Sequence, residues 1–337
     1  MNSMKKFRLL LTAVIVISIV PFISNALAAS KRVYVSNAGN NTVSIIDTAK
    51  NEVVNTLRVG VWPAGMAIDP AAKRLYVVNS SEGDSRVSVI DLASNSIIGN
   101  VKVGLGPMSI ALDPSAGIGY AADTEHIVDG KNVNKTLSVI DLKTNTVKGK
   151  IEVGVGPFDL KILDKKLYVS NTGDWSVSVV NTADQKVIST IKVIDTPLGI
   201  AVDKNKKKVY VAIHGKGSVS VINASDNKEV GVIKVGKAAW YIDIDPLRNR
   251  AYVTRREDNA VSVIDTNTDK VIENINVGKG PIGIAVDPEN NRAYVANHED
   301  VSVSVIDTAS NKVVGTVKLA PATDSTYSGS PWGVILY

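Results

Sequence analysis

Cysteine is missing from the sequence altogether, which excludes disulfides, thiolate metal sites, a cysteine nucleophile and a lipid-modified N-terminal cysteine. Aromatic residues make up only 5% of the chain against 45% apolar residues, so a large core has to be filled mostly by Val, Ile, Leu and Ala, a β-rich composition. No long apolar run occurs beyond residue 29. The local signatures of a serine nucleophile, a phosphate loop, a dinucleotide site and haem attachment are all lacking. Catalytic residues, cofactors and metals are therefore each expected to be none.

An excess of charge is also lacking. The formal net charge of +5 includes Lys5, Lys6 and Arg8 and no acidic residue from the first 29 positions; without them 35 basic residues face 33 acidic ones, a net of +2. A nucleic-acid surface needs concentrated positive charge. The one dense run, Lys204-Asn205-Lys206-Lys207-Lys208, falls in a predicted hairpin turn, where a solvated cluster is the plainer reading. No nucleic-acid partner is expected.

Lys5, Lys6 and Arg8 precede an apolar run from Leu9 to about Ile23, and Ala26-Leu27-Ala28 is a small-x-small cleavage signature. Residues 1–29 thus read as a secretory signal peptide and residues 30–337 as the folded domain. An uncleaved membrane anchor is the competing reading, but the run is short and broken by Pro21. The expectation is an exported protein, periplasmic, extracellular or associated with the cell surface, with no transmembrane segment in the mature chain.

What is present is a repeat. Residues 281–319 contain four Val- and Ile-rich segments, GIAVD, RAYVAN, VSVSVID and KVVGTVKL, separated by the turn sequences DPENN, NHED and DTASN. Such short breaks allow only hairpins, so one copy is a four-stranded antiparallel meander. The Tyr of the second strand recurs at Tyr34, Tyr76, Tyr120, Tyr168, Tyr210, Tyr252 and Tyr294, at intervals of 42, 44, 48, 42, 42 and 42 residues. In phase with it come VSVID-like third strands and Val-Gly-x-Gly-Pro-like linkers such as VGLGP (103–107), VGVGP (153–157) and VGKGP (277–281). A four-strand period of this size predicts an all-β, seven-bladed β-propeller of four-stranded antiparallel blades.

The domain starts on a second-strand motif, RVYVSN (32–37), and finishes on a first-strand motif, PWGVILY (331–337). One blade is therefore expected to be split, with the C-terminal strand pairing with the N-terminal three strands to close the ring. In first strands the second, fourth and sixth residues counted from the linker Pro are mostly large and apolar. The third and fifth are usually Gly, Ala or Ser, so a large face can stack on a small one between blades.

The recurring Tyr-Val-x-Asn (34–37, 76–79, 168–171 and 294–297), the VSVID strands and the Val-Gly-x-Gly-Pro linkers resemble the YVTN family of β-propeller repeats across residues 31–337. The resemblance implies a seven-bladed fold outside the cytoplasm, like surface-layer proteins and exported bacterial propellers. It transfers no catalytic residue, because the motif is structural.

Candidate site residues are sought where repeats break their own pattern. The fourth position of Tyr-Val-x-Asn is Asp123 in one repeat, Ile213 followed by His214 in another, and Arg255 followed by Arg256 in a third; His298 and Glu299 follow the retained Asn297. First strands depart at Asp159 and Lys161 and at Tyr241 and Asp243, where an Asp159–Lys161 ion pair is expected, and Trp62, Trp240 and Trp332 fall near the channel mouth. Ligand contact and wedging between blades account for these aromatics equally well. The candidate ligand-binding set is His214, Arg255, Arg256, His298, Asp123, Trp240, Tyr241, Asp243 and Lys161. Long loops at 124–135 and 320–330 add to the same end of the ring. Asp129-Gly130 in the first lacks the spacing of a calcium loop.

The expected function is a non-enzymatic binding or scaffold module at the cell surface or in the periplasm, a monomer taking an unknown small molecule, glycan or protein on the loop-rich end. The alternative is a propeller enzyme of lactonase or lactonising type, in which His214, Arg255 and Glu257 would stabilise an enolate or carboxylate and move a proton.

Overall fold

The computed structural model describes residues 31–337 except 125–126, 129–130, 133 and 322–329. The expected leader at 1–29, Asp129-Gly130 and most of the loop at 320–330 lie outside the described residues. Seven four-stranded antiparallel sheets form the blades. Blade 1 is the split one: Pro331–Leu336 pairs antiparallel with Arg32–Asn37, which continues to Thr42–Asp47 and Glu52–Arg58. Blades 2 to 7 follow in chain order, with first strands Pro63–Asp69, Pro107–Asp113, Pro157–Leu163, Pro197–Asp203, Ala239–Asp245 and Pro281–Asp287. A small hairpin, Ile127–Val128 against Lys131–Asn132, rises from the loop of blade 3. No helix among the described residues is long and apolar enough to cross a membrane.

The turns explain why the repeat carries Asp and Asn where it does. Asp47 ends a third strand, and its Oδ1 accepts the N–H groups of Ala49 (2.9 Å) and Lys50 (3.2 Å), fixing a tight turn. The turn closes on a residue of positive φ: Asn51 at 53°, Asn95 at 52°, Asn145 at 55°, Gln185 at 60°, Asn227 at 56°, Asp269 at 54° and Asn311 at 55°. Asn tolerates this left-handed region best among residues with side chains.

That same residue locks neighbouring blades. The hydroxyls of Tyr168, Tyr210 and Tyr252 donate to Asn227 Oδ1 (3.2 Å), Asp269 Oδ1 (2.9 Å) and Asn311 Oδ1 (3.4 Å) of the next blade. The seven recurring tyrosines are at most 2% exposed, and burial pushes the Tyr168 and Tyr294 hydroxyls up to about 12. The Lys204–Lys208 run serves similar contacts. Lys206 reaches Asp203, Asn249 and Thr266, Lys207 reaches Asp164 and Lys208 reaches Asp269, so three of its four charges are paired within the protein.

First strands approach one another backbone to backbone. A Cβ on Gly283 would lie 2.3 Å from the carbonyl oxygen of Trp332, and one on Gly199 would lie 2.7 Å from Cα of Tyr241, so the small position faces the next blade. Outer strands are solvent-facing: all of Glu52–Arg58 is exposed except Leu57, which is half-buried, and Glu, Asn and Arg interrupt its valines as a protected edge requires.

Removing Pro331–Tyr337 would strip Arg32–Asn37 of its inner partner and take away the buried Trp332, whose burial is worth roughly 1.5–3 kcal/mol by itself, before the loss of ring closure is counted. The truncated protein is expected to unfold at least about 10 °C lower, or to be insoluble. Calorimetry of the two forms checks this, and an unchanged midpoint would mean that the strand does not close the ring.

Candidate functional site

The linkers and the loops after the second strands share one end of the ring, because strand direction alternates within each blade. At this linker end the residues next after the linker Pro or its equivalent are Ala64, Met108, Phe158, Leu198, Trp240, Ile282 and Trp332. All pack in one apolar cluster, with only Trp240 left partly exposed. The cluster plugs the channel at this end and separates two regions of different chemistry.

On the outer side of the plug, its two tryptophans, Trp240 and Trp332, form a platform. Their ring centroids are 5.8 Å apart and edge-on, with Trp62 at 5.1 Å from Trp332, within the range of favourable aromatic pairs. His214 stands edge-on to Trp240 at 5.1 Å and His298 edge-on to Trp332 at 5.8 Å. The Arg256 guanidinium lies over the Trp240 ring, 5.2 Å from its centroid, a cation–π arrangement, and Nη2 is 3.6 Å from Glu299 Oε1. A depression of about 540 Å³ opens here, lined by His214, Trp240, Arg256, Glu257, Asn259 and Glu299. The structure thus brings His214, Trp240, Arg256 and His298 together from blades 5, 6 and 7, seated on Trp332 of blade 1.

Burial holds both imidazoles below the usual histidine range. For His214 the Glu257 carboxylate opposes that shift and Arg256 reinforces it; for His298 the hydrogen bond to Pro331 opposes it. His298 Nδ1 is 3.2 Å from the Pro331 carbonyl, so Nδ1 carries the proton in the neutral ring, since a carbonyl only accepts.

Asp123 and Arg255 are placed differently, inside their blades. In blades 1, 4 and 7 the Asn of Tyr-Val-x-Asn donates to two hydroxyls of the next strand, as Asn171 does to Ser176 (3.0 Å) and Ser178 (2.9 Å). The linker Gly passes directly over it: a Cβ on Gly154 would lie 2.6 Å from Asn171 Cγ. Asp123 occupies that slot in blade 3, its oxygens accepting from Gly104 N–H (3.0 Å), Ser138 Oγ (2.9 Å) and Thr136 Oγ1 (3.0 Å), and burial pushes its carboxyl up. Arg255 fills the slot in blade 6, with Nη1 3.0 Å from both the Val235 carbonyl and Asp258 Oδ2.

Lys161, Tyr241 and Asp243 lie beneath the plug, in a channel cavity of about 260 Å³ that also includes Ser109 and Asp159. Asp159 accepts from Ser109 Oγ (2.7 Å) and from the N–H groups of Leu160 (2.9 Å) and Ile200 (2.8 Å), with Lys161 Nζ at 3.7 Å. Asp243 accepts from Ile244 and Val286 N–H, at 2.9 and 2.8 Å. Each carboxylate thus ties its first strand to that of the next blade. Burial raises the Asp243 carboxyl and the Tyr241 hydroxyl, and the Asp159 charge raises both further. Among the described residues no three His, Asp or Glu side chains stand close enough to hold a metal ion.

Asn259, Lys234 and Lys237 border the linker-end depressions and were not among the sequence candidates. Asn259 sits at a position that varies freely between repeats, and the lysines in a linker and an outer strand; only their proximity to His214 across the blade boundary marks them.

The fold is thus that of a seven-bladed propeller, and its likeness extends to proteins of unlike chemistry. No protein-family model matches the sequence, so no family model stands behind the YVTN resemblance, and no curated protein matches either. Among solved structures, the chain is similar to Kuenenia stuttgartiensis hydrazine synthase, with a TM-score of 0.72 and 21% identity over 82% of this chain and 92% of that one. It is similar to a functionally unknown protein from Desulfotomaculum acetoxidans DSM 771, with a TM-score of 0.75 and 12% identity over 91% and 99% of the two chains. A third similarity is to dihydro-heme d1 dehydrogenase NirN in complex with DHE, with a TM-score of 0.62 and 13% identity over 86% of this chain and 64% of that one. At these identities the likeness establishes the fold and carries over no residue's role.

Two outcomes test the assignment of places. Arg255→Ala should destabilise the protein by about 1–3 kcal/mol, because the slot is emptied of a largely buried side chain and the Val235 carbonyl keeps only the Ser262 hydroxyl as side-chain donor, whereas Arg256→Ala should leave stability within about 0.5 kcal/mol; denaturant titration of both checks this. Stability should also depend on the two histidines. Below about pH 6.5 the unfolded chain takes up protons that the folded rings accept only at lower pH, so their contribution, full above 6.5, is lost as the pH falls through that window. The melting temperature should drop between about pH 7 and 5.5, and the double variant His214→Gln/His298→Gln should flatten that drop.

Proposed function

We propose that this chain is an exported, non-enzymatic binding module of YVTN type, which holds a small molecule on its linker end over blades 5 to 7. The observation that carries this reading is the stack of His214, Trp240 and Arg256: two polar groups are set on one indole, at 5.1 and 5.2 Å, before any ligand arrives. Preorganised side chains on a rigid ring lower the ordering cost of binding. Export rests on the pattern of residues 5–29, and the YVTN assignment on the repeat motifs. The lactonising alternative loses one of its named groups, since Arg255 is engaged with Val235 and Asp258; Arg256 would have to act with His214 and Glu257.

Native mass spectrometry of the purified protein, after exposure to a low-molecular-weight extract of culture, tests the reading. A retained small molecule, lost in Trp240→Ala and recovered unaltered, is the expected result. Turnover of a lactone or muconate-type acid that disappears in His214→Ala would instead establish the enzyme.

A further inference from the structure

The depression over Trp240 does not end at His214. A second one, of about 440 Å³, shares His214, Ala238 and Glu257 with it and extends between blades 5 and 6 to Lys216, Lys234 and Lys237. Its floor is a direct contact between the loop His214-Gly215-Lys216-Gly217 and the linker Gly236-Lys237-Ala238. The N–H groups of Val235 and Gly236 both donate to the Gly217 carbonyl, at 3.0 and 3.1 Å. Only glycine fits on either side: a Cβ on Gly217 would lie 1.9 Å from the Gly236 carbonyl oxygen, and one on Gly236 would lie 2.1 Å from Arg255 Nη1. Both walls therefore stand where the repeat departs from its own pattern, at Ile213-His214 and at Arg255-Arg256.

The charges along this joined groove are uneven. Four cations, Lys216, Lys234, Lys237 and Arg256, face two carboxylates, Glu257 and Glu299. Lys216 has its nearest carboxylate, Asp195, at 4.0 Å, and among the described residues Lys234 and Lys237 form no ion pair. Some lysines elsewhere on the ring, such as Lys206 and Lys208, are drawn into bonds with neighbouring blades. Here three of them converge on a concave surface instead. Arg256, over the Trp240 ring at 5.2 Å and 3.6 Å from Glu299 Oε1, offers the planar fork that suits carboxylate or phosphate oxygens.

From this geometry we infer that the joined groove binds a compact polyanion bearing at least two carboxylate or phosphate groups, one among Lys216, Lys234 and Lys237 and the other on Arg256, with the body of the ligand over His214 and Ala238. The inference rests on the reading of the linker end as a binding face and adds the chemical class of the ligand.

Isothermal titration of the purified protein with citrate, inorganic pyrophosphate and neutral trimethyl citrate tests it. Saturable binding of at least one anion is expected, with trimethyl citrate at least about tenfold weaker, and the stronger of the two anions tells carboxylate from phosphate. Arg256→Gln and Lys237→Gln should each weaken binding about threefold or more, and raising NaCl from about 50 to about 500 mM should weaken it further. Two results would overturn the inference: no binding of either anion, or wild-type affinity in both variants. If the ligand retained in mass spectrometry were neutral or cationic and still lost in Trp240→Ala, the anion class would fall and the binding face would stand. If nothing were retained and neither anion bound, both would fall.

Discussion

Everything in this ring depends on how closely the seven first strands approach the axis. Their backbones nearly touch, with glycine at positions such as Gly199 and Gly283 because any side chain would strike the next strand. Sheets that converge this tightly must meet small faces with large ones, and the large faces then supply the cores between blades, filled by Val, Ile and the seven buried tyrosines. Closure of blade 1 by Pro331–Leu336 follows from the same constraint, because an open ring would leave such faces without a partner.

Where the small position is not glycine, the replacement makes its own contact across the gap. Ser109 reaches Asp159, and Asp159 takes the N–H of Ile200 in the following blade. Asp243 repeats the device toward Val286. A buried carboxylate without partners would be costly, and here backbone donors and the half-exposed Lys161 supply partners. Polar residues in the channel thus serve the joints between blades, while the plug at the linker end keeps them apart from the outer depressions.

The linker end shows how a regular fold acquires chemistry without altering its frame. Asp123 and Arg255 replace the repeating Asn and keep its task of binding the linker or the next strand, so the substitutions are absorbed inside the blade. The residues one step further along, His214, Arg256 and His298, lie beyond the last strand bond and turn onto the tryptophans. A seven-bladed ring is compatible with very different outer faces, and the fold by itself selects none of them.

The repeat period, the four strands per blade and the split blade were all legible in the sequence, because strand alternation, turn residues and the spacing of tyrosines are local patterns. The departures at 123, 213–214 and 255–256 were equally visible as departures. What each departure does was decided by tertiary structure. Arg255 and Arg256 are adjacent and chemically identical, yet one turns inward to the Val235 carbonyl and the other lies on Trp240, since successive side chains leave the backbone in opposite directions and the surroundings of each come from a different blade. The joining of Lys216 to Lys237 and Arg256 in one groove has the same origin: blade order sets the contact, and no local pattern records it.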